Sequence, residues 1–451
     1  MPSGITLAPG YTVVRGLVRF LLALFYRRLD VVGAENVPSE GGLVVAANHH
    51  NSIVDAMLLI GLLPRRLRTL ANAPLFGNPI IGPFLRLLGA LPVHRRQEAG
   101  TDPARNASLF AATTATLRGG GAIAIFPEGR TQAEPVLLEL RTGAARMLLA
   151  AEEGSGPAAV TLLPVGLVFS APGTFREGQA LVVIGSPVST AEAAALARTE
   201  PERAARLLTG ALATALRGLI VEAEDRQTLR LLGLAEELWR DEGGEVPRDA
   251  AGRVEWLRRA LRTYRLLLER APDRVHAFRG RLGDLAGDVE RVGLGPRWLA
   301  TPARLAGRVA LQAAALLLLS PLAFPGIVLH AVPYNLTDVV VRKLQRTDEE
   351  EATDKIAVGL LLFPLFWLLP TWAAWRLGGP WAAAAVVAAL LPGAFFALAW
   401  RDRLERLVRV ARAFVHCRRD PGLPGRLREE RRALAEELRA LARLVPEEWP
   451  D

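Results

Sequence analysis

LVVAANHHNSIVDAMLLIGLL, residues 43–63, decides how the rest of the chain is read. Leu43 to Ala47 are five consecutive apolar residues with no polar position among them, the pattern of a strand covered on both faces. The polar run Asn48–His49–His50–Asn51–Ser52 follows at once, and an apolar helix occupies Asp55 to Leu63. A buried strand that passes through a polar turn into a helix belongs to an α/β domain, and the ends of such strands are where reactive side chains meet substrate.

Outward from this stretch, short β-rich runs alternate with helical ones from Leu29 to about Val188. Gly121 to Phe126, Val160 to Val168 and Ala180 to Ile184 read as strands; Ile80 to Leu88, Pro103 to Arg118 and Gly143 to Glu152 read as helices. The predicted fold class is α/β, a mixed central sheet flanked by helices, followed by a helical region and C-terminal transmembrane helices. Five segments are expected: 1–28, an amphipathic helix at the membrane interface; 29–190, the α/β domain; 191–300, a helical spacer or cap; 301–400, membrane-embedded helices; and 401–451, a basic helical tail. For Tyr11 to Tyr26 the alternative is a first core helix.

Composition narrows the class. The 451 residues are 51% hydrophobic and 22% charged with a mean hydropathy of +0.22, which excludes a disordered chain and points to lipid-embedded parts. Cys417 is the only cysteine, so neither an intrachain disulfide framework nor a cysteine-based zinc or iron–sulfur site is available. The net charge of +9 rests on arginine, since Lys343 and Lys355 are the only lysines, and it favours anionic partners. No nucleic-acid module accompanies the arginines, so nucleic acid is not expected as a partner; they read as flanks of membrane segments.

Val309 to Leu329, Ile356 to Trp375 and Leu377 to Trp400 carry no formal charge, and each is long enough to cross about 30 Å of hydrocarbon at about 1.5 Å per residue. Arginine-containing flanks before Val309 and after Trp400 both prefer the cytoplasmic side, whereas three crossings would separate them. Pro321 and Pro325 therefore suggest that the first stretch is re-entrant or a short hairpin, and Gly378–Gly379–Pro380 makes a turn between the other two. The expectation is an integral membrane protein whose catalytic domain faces the cytoplasm.

The chemistry centres on His50 and Asp55. Four residues separate them, so a turn and the first helical turn can bring the carboxylate to one ring nitrogen and leave the other to take a hydroxyl proton. There is no G-x-S-x-G elbow, so the attacking oxygen is expected to belong to the substrate, which points to acyl transfer between two bound molecules. The His49–His50 spacing matches no usual zinc signature, and neither metal nor cofactor is expected. Standing alone, the tandem histidines would read as structural.

Three further segments follow in order: Gly89–Ala90–Leu91–Pro92–Val93–His94–Arg95–Arg96, Phe126–Pro127–Glu128–Gly129–Arg130–Thr131 and Leu163–Pro164–Val165–Gly166. Together with the histidine box they resemble the four motifs of the glycerolipid acyltransferase family, which includes the glycerol-3-phosphate and 1-acylglycerol-3-phosphate acyltransferases. The likeness spans about Val31 to Val188. It implies that His50 activates the acceptor hydroxyl, that Asp55 orients it, that Arg95 contacts the acceptor phosphate, and that Glu128 and Gly129 position the acceptor. Arg130 and Arg141 are implied as phosphate contacts on the acceptor or the acyl carrier. His49 keeps the Asn-His dipeptide of many relatives while His50 keeps the four-residue gap, so His50 is favoured and His49 is the rival.

The resemblance implies transfer of a fatty acyl group from acyl-CoA or acyl-carrier protein onto glycerol 3-phosphate or a lysophospholipid, in phospholipid biosynthesis and among membrane lipids. The C-terminal membrane module resembles a branch related to fungal dual glycerol-3-phosphate and dihydroxyacetone-phosphate acyltransferases, which puts glycerol 3-phosphate first and lysophosphatidate second. The alternatives are a membrane-associated lipid or thioester hydrolase and a non-catalytic lipid-binding protein.

Overall fold

A computed structural model of the chain describes residues 9–77, 81–93, 103–132, 134–153, 160–169, 175, 178–223, 225–241, 243–247, 249–293, 302–344 and 351–447. Two units emerge: Met1–Asp225 with Arg248–Glu255 and Gln345–Ala357, and Arg226–Pro247 with Trp256–Leu344 and Val358–Asp451.

In chain order the first unit contains α1 (Pro9–Phe25), β1 (Arg28–Val32), β2 (Gly42–Ala47), α2 (Ser52–Leu62), β3 (Leu67–Asn72), α3 (Ile81–Leu88), β4 (Leu91–Val93), α4 (Pro103–Arg118), β5 (Ala122–Ile125), α5 (Gly143–Glu152), β6 (Val160–Phe169), β7 (Gln179–Ile184), α6 (Ala191–Ala197) and α7 (Pro201–Arg217). The strands form one sheet in the order β1-β7-β6-β2-β5-β3-β4. From β2 through β6 all strands run parallel; β7 is antiparallel to β6, and β1 is parallel to β7. The fold is therefore α/β with a mixed central sheet flanked by helices.

β2 sits between β6 and β5 and is buried along its whole length, as its uninterrupted apolar run requires. Its side chains alternate between two cores. Leu43, Val45 and Ala47 join Val18 and Leu22 of α1 and Leu58 and Leu59 of α2. Val44 and Ala46 join Leu117 of α4, Leu148 of α5 and Leu208 and Leu212 of α7. Helices thus cover both faces. β1, β3 and β4 were not among the expected strands: their sequences RLDVV, LRTLAN and LPV carry charge, amide or proline, which strands at or near an edge tolerate because one side is not enclosed.

α1 places Tyr11, Val14, Val18, Leu22 and Phe25 in the core, while Val13, 72% exposed, and Leu17 and Phe20 face outward. Gly61 of α2 admits this packing, since a Cβ there would lie 3.3 Å from both Val18 and Leu22. Arg15 of α1 donates to the carbonyls of Leu63 at 2.6 Å and Gly61 at 3.3 Å, satisfying the end of α2 with a cation where the helix dipole is negative.

The second unit is helical, with α8 (Arg226–Asp241), α9 (Ala250–Arg270), α10 (Pro272–Val292), α11 (Pro302–Leu344), α12 (Glu351–Arg419) and α13 (Leu423–Ala442), the first part of α9 and of α12 belonging to the first unit. Leu238, Leu267, Phe278, Leu282, Leu434 and Leu438 lie at the centre of one of its cores. Ala323–Leu344 and Glu351–Arg419 are long and apolar enough to cross a membrane.

Neither α11 nor α12 runs straight. Trp400 Nε1 donates to Leu316 O at 3.3 Å, and the neighbouring Arg401 guanidinium lies 4.6 Å from the Tyr334 ring centre. A straight helix holds residues 316 and 334 about 27 Å apart, too far for two adjacent side chains to meet both, so α11 turns back near Pro321 and Pro325. In α12, Trp367 Nε1 donates to His330 Nε2 at 3.2 Å, and Gly393 packs on Gly326, one turn from His330. Residues 367 and 393 would be about 39 Å apart in a straight helix. Gly379, with φ 74° and ψ −168°, makes the break, which glycine alone adopts without steric penalty.

Candidate active site

The parallel register Ala46↔Ile125 sets the carboxyl ends of β2 and β5 side by side, so Asn48–His49–His50 and Phe126–Pro127–Glu128 leave the sheet as neighbours. Asn48 is buried and continues the ladder with its side chain: Nδ2 donates to Leu167 O at 2.9 Å, and Oδ1 accepts from Leu167 N–H at 2.7 Å. The chain then reverses through Asn51 (φ −135°, ψ 41°) and Ser52 (φ 46°) before α2 proceeds.

Asp55, fully buried in the first turn of α2, reaches back to this loop. Its Oδ2 accepts from His49 Nδ1–H, His50 N–H and Asn51 N–H, each at 2.8 Å. A carboxylate at a helix start that binds backbone N–H groups just before it follows the logic of a capping box and is favoured by the dipole. The ring on Asp55 is therefore that of His49, and the expected contact between Asp55 and the His50 ring is corrected. Five residues separate His49 from Asp55; the left-handed turn at Ser52 takes up the extra one. The His50 ring turns elsewhere, with Nδ1–H donating to Gln132 O at 3.2 Å.

Phe126 stacks flat on the His49 imidazole, ring centres 4.1 Å apart and planes 12° from parallel. Glu128, also buried, accepts from His49 N–H at 2.7 Å through Oε1 and from Leu138 N–H at 3.1 Å through Oε2. Burial, with a smaller contribution from the Asp55 charge, pushes its carboxyl up to about 7 against the pull of these two N–H groups and Arg130. Both oxygens of Glu128 thus serve the protein's own backbone. Gly129 turns at φ 70°, and a Cβ there would lie 2.7 Å from Arg141 Nε, so the Arg141 side chain lies across the glycine. Gln132 N–H donates to His49 O at 3.2 Å, tying the two loops together again.

Because carboxylate accepts at Nδ1, the neutral His49 carries its lone pair on Nε2, for which there is no partner among the described residues. An imidazole held this way by a carboxylate has the geometry that can take a proton from a hydroxyl. Arg130 and Arg141 are exposed on the loop after β5 and form no ion pair among the described residues. Arg95 lies outside the described residues.

A family model described as Acyltransferase matches residues 28–168. The 1-acyl-sn-glycerol-3-phosphate acyltransferase of Bacillus subtilis (strain 168) is 30% identical over 174 residues, 38% of this chain and 79% of that protein. The chain belongs to the glycerolipid acyltransferase family. The chloroplastic 1-acyl-sn-glycerol-3-phosphate acyltransferase LPAT1 of Arabidopsis thaliana is 26% identical to this acyltransferase over 171 residues, 38% of this chain but 46% of that protein. Among solved structures, the 1-acyl-sn-glycerophosphate (LPA) acyltransferase PlsC of Thermotoga maritima is 18% identical, with a TM-score of 0.34, covering 46% of this chain and 79% of that one.

Three residues of this acyltransferase's site escaped the sequence reading. Asn48 anchors the loop to β6 and Phe126 supplies the stacking platform. Tyr26 accepts from Asn51 Nδ2 at 2.8 Å, and burial, with the Asp55 charge second, raises its phenol above the ordinary value. Asn48 left a signal, an amide directly after a fully apolar strand; the other two required the tertiary fold.

Proposed function

We propose that this acyltransferase moves a fatty acyl group from acyl-CoA or acyl-carrier protein to the free hydroxyl of 1-acyl-sn-glycerol 3-phosphate, with glycerol 3-phosphate as the second acceptor. The observation that carries the reading is the His49–Asp55 pair at 2.8 Å beside the Phe126–Pro127–Glu128–Gly129 loop. The names of the Bacillus and Arabidopsis relatives support the order of acceptors.

His49 Nε2 takes the hydroxyl proton as the acceptor oxygen attacks the thioester carbonyl. The C–O bond forms, the tetrahedral oxyanion collapses, the C–S bond breaks, and the thiolate recovers the proton from His49. Asp55 holds the imidazole in its tautomer and stabilises it while charged; Glu128 and Gly129 hold the loop. Arg95, Arg130 and Arg141 bind phosphate, for which guanidinium offers bidentate, permanently charged donors. The reaction needs no metal and no covalent acyl-enzyme.

The site of action is a membrane, with the catalytic unit on the cytoplasmic side. Leu318 is 80% exposed, Leu377 90% and Trp381 87%, within long apolar stretches that water solvates poorly and hydrocarbon solvates well.

Purified protein assayed across both donors and both acceptors should give acylated lipid. His49→Ala should lower the rate at least about a hundredfold, the smaller end of what a lost general base costs, and more than His50→Ala does. The reverse ranking returns the role to His50, and release of free fatty acid alone, with acceptor present, makes the protein a hydrolase.

A further inference from the structure

The two folded-back helices carry their charges at one end. Arg308 starts the first arm of α11, and Arg342 and Lys343 close the second; Lys355 precedes the apolar run of the first arm of α12, and Arg401 ends that of the second. No Asp, Glu, Lys or Arg lies in 309–337, 356–375 or 377–400, so the opposite end has only Arg376, beside the Gly379 turn.

The arms differ in depth. From Pro380 to Arg401 the helix rises about 32 Å, the thickness of a hydrocarbon core. The turn of α11 stops short of that: Gly326 meets Gly393, eight residues or about 12 Å from Arg401. Backbone freed by a turn at such a depth must be enclosed by protein, and here Ala323 is fully buried, Gly326 lies on Gly393, and His330 is held by Trp367 and by Gly326 O at 2.7 Å. Tyr334 and Trp400 mark the shallow rim, and Trp372, Trp375 and Trp381 mark the far end, as interfacial aromatic residues do.

We infer that the second unit enters the bilayer from one face only, α12 as a hairpin of two full crossings and α11 as a re-entrant hairpin that stops about a third of the way across. The inference rests on the membrane reading above. It puts the segments before α11 and after α12 on the same aqueous side, and so removes the conflict between two arginine-rich flanks and an odd number of crossings.

Cys417→Ala removes the chain's only cysteine and provides the background for Gly307→Cys, Leu377→Cys and Arg409→Cys. In sealed vesicles of known orientation, a membrane-impermeant maleimide should label positions 307 and 409 from the same side and 377 from the other. Labelling of 307 and 409 from opposite sides, or of 377 from the side of 409, overturns the inference. Trypsin gives the same information on the wild-type chain, because Arg376 is the one basic residue between Lys355 and Arg401: cleavage after it should occur from the side of 377 alone, and cleavage from the other side counts against the inference. Release of wild-type protein by alkaline carbonate removes the membrane reading and the inference together, whereas retention with the wrong sidedness removes the inference alone.

Discussion

His49 owes its backbone position to Glu128, whose carboxyl accepts the His49 N–H at 2.7 Å and is pushed up to about 7 by burial. The folded-state value lies above the ordinary 4.5, so the neutral form favours folding: this contribution is whole below about pH 4.5 and is lost as pH rises through 7. Measured against Glu128→Gln, which does not titrate, wild-type stability should therefore fall between pH 4.5 and 7.5, by about 3 kcal/mol for a shift of this size. A pH-independent difference between the two unfolding midpoints would show that Glu128 keeps its ordinary value in the fold. At this scale the motif was legible in the sequence, and which of the two rings meets Asp55 was not. Counting residues from His50 to Asp55 assumes a smooth entry into the helix, and the backbone of Ser52, at φ 46°, departs from it.

Among the elements, the central strands announced themselves and the outer ones did not. β2 and β5 carry unbroken apolar runs and β6 is apolar but for Thr161, whereas β1 and β3 lie at or beside an edge and keep arginine, aspartate, threonine and asparagine, and β4, at the other edge, is only three residues long. The breaks in α11 and α12 were visible as prolines and as Gly378–Gly379–Pro380, but the packing of one folded-back helix on the other was not, because it depends on backbones in contact. A Cβ on Gly326 would lie 2.1 Å from the Gly393 carbonyl oxygen, whereas one on Gly283 in α10 meets nothing within 4 Å. Gly326→Ala should accordingly lower the unfolding midpoint in detergent, at a cost of about 1–3 kcal/mol for overpacking, and Gly283→Ala should raise it by about 0.5–1 kcal/mol. A stabilising Gly326→Ala would mean that these arms do not touch.

For the molecule as a whole, the alternation of apolar strands and helices from Leu29 to about Val188 foretold the α/β sheet, and the least legible part was the N-terminus. The spacing of Tyr11, Val14, Val18, Leu22 and Phe25 is the same whether the stripe faces lipid or protein, and only the fold shows that it faces the sheet. Five such side chains, at about 1.5–3 kcal/mol each, amount to about 10 kcal/mol, comparable to the whole stability of a domain. A chain lacking residues 1–27 should therefore aggregate and lose acyl transfer, as sedimentation and the donor-by-acceptor assay would register; a soluble, active truncation would make α1 a removable anchor. The Asn48 side chain, which adds a rung between β2 and β6, has a consequence for how reaction begins. Moving the His49 backbone would require unzipping strand pairing at the centre of the sheet, so in the mechanism proposed above the proton acceptor stands in its working pose before any acceptor arrives, and the encounter begins from a rigid template.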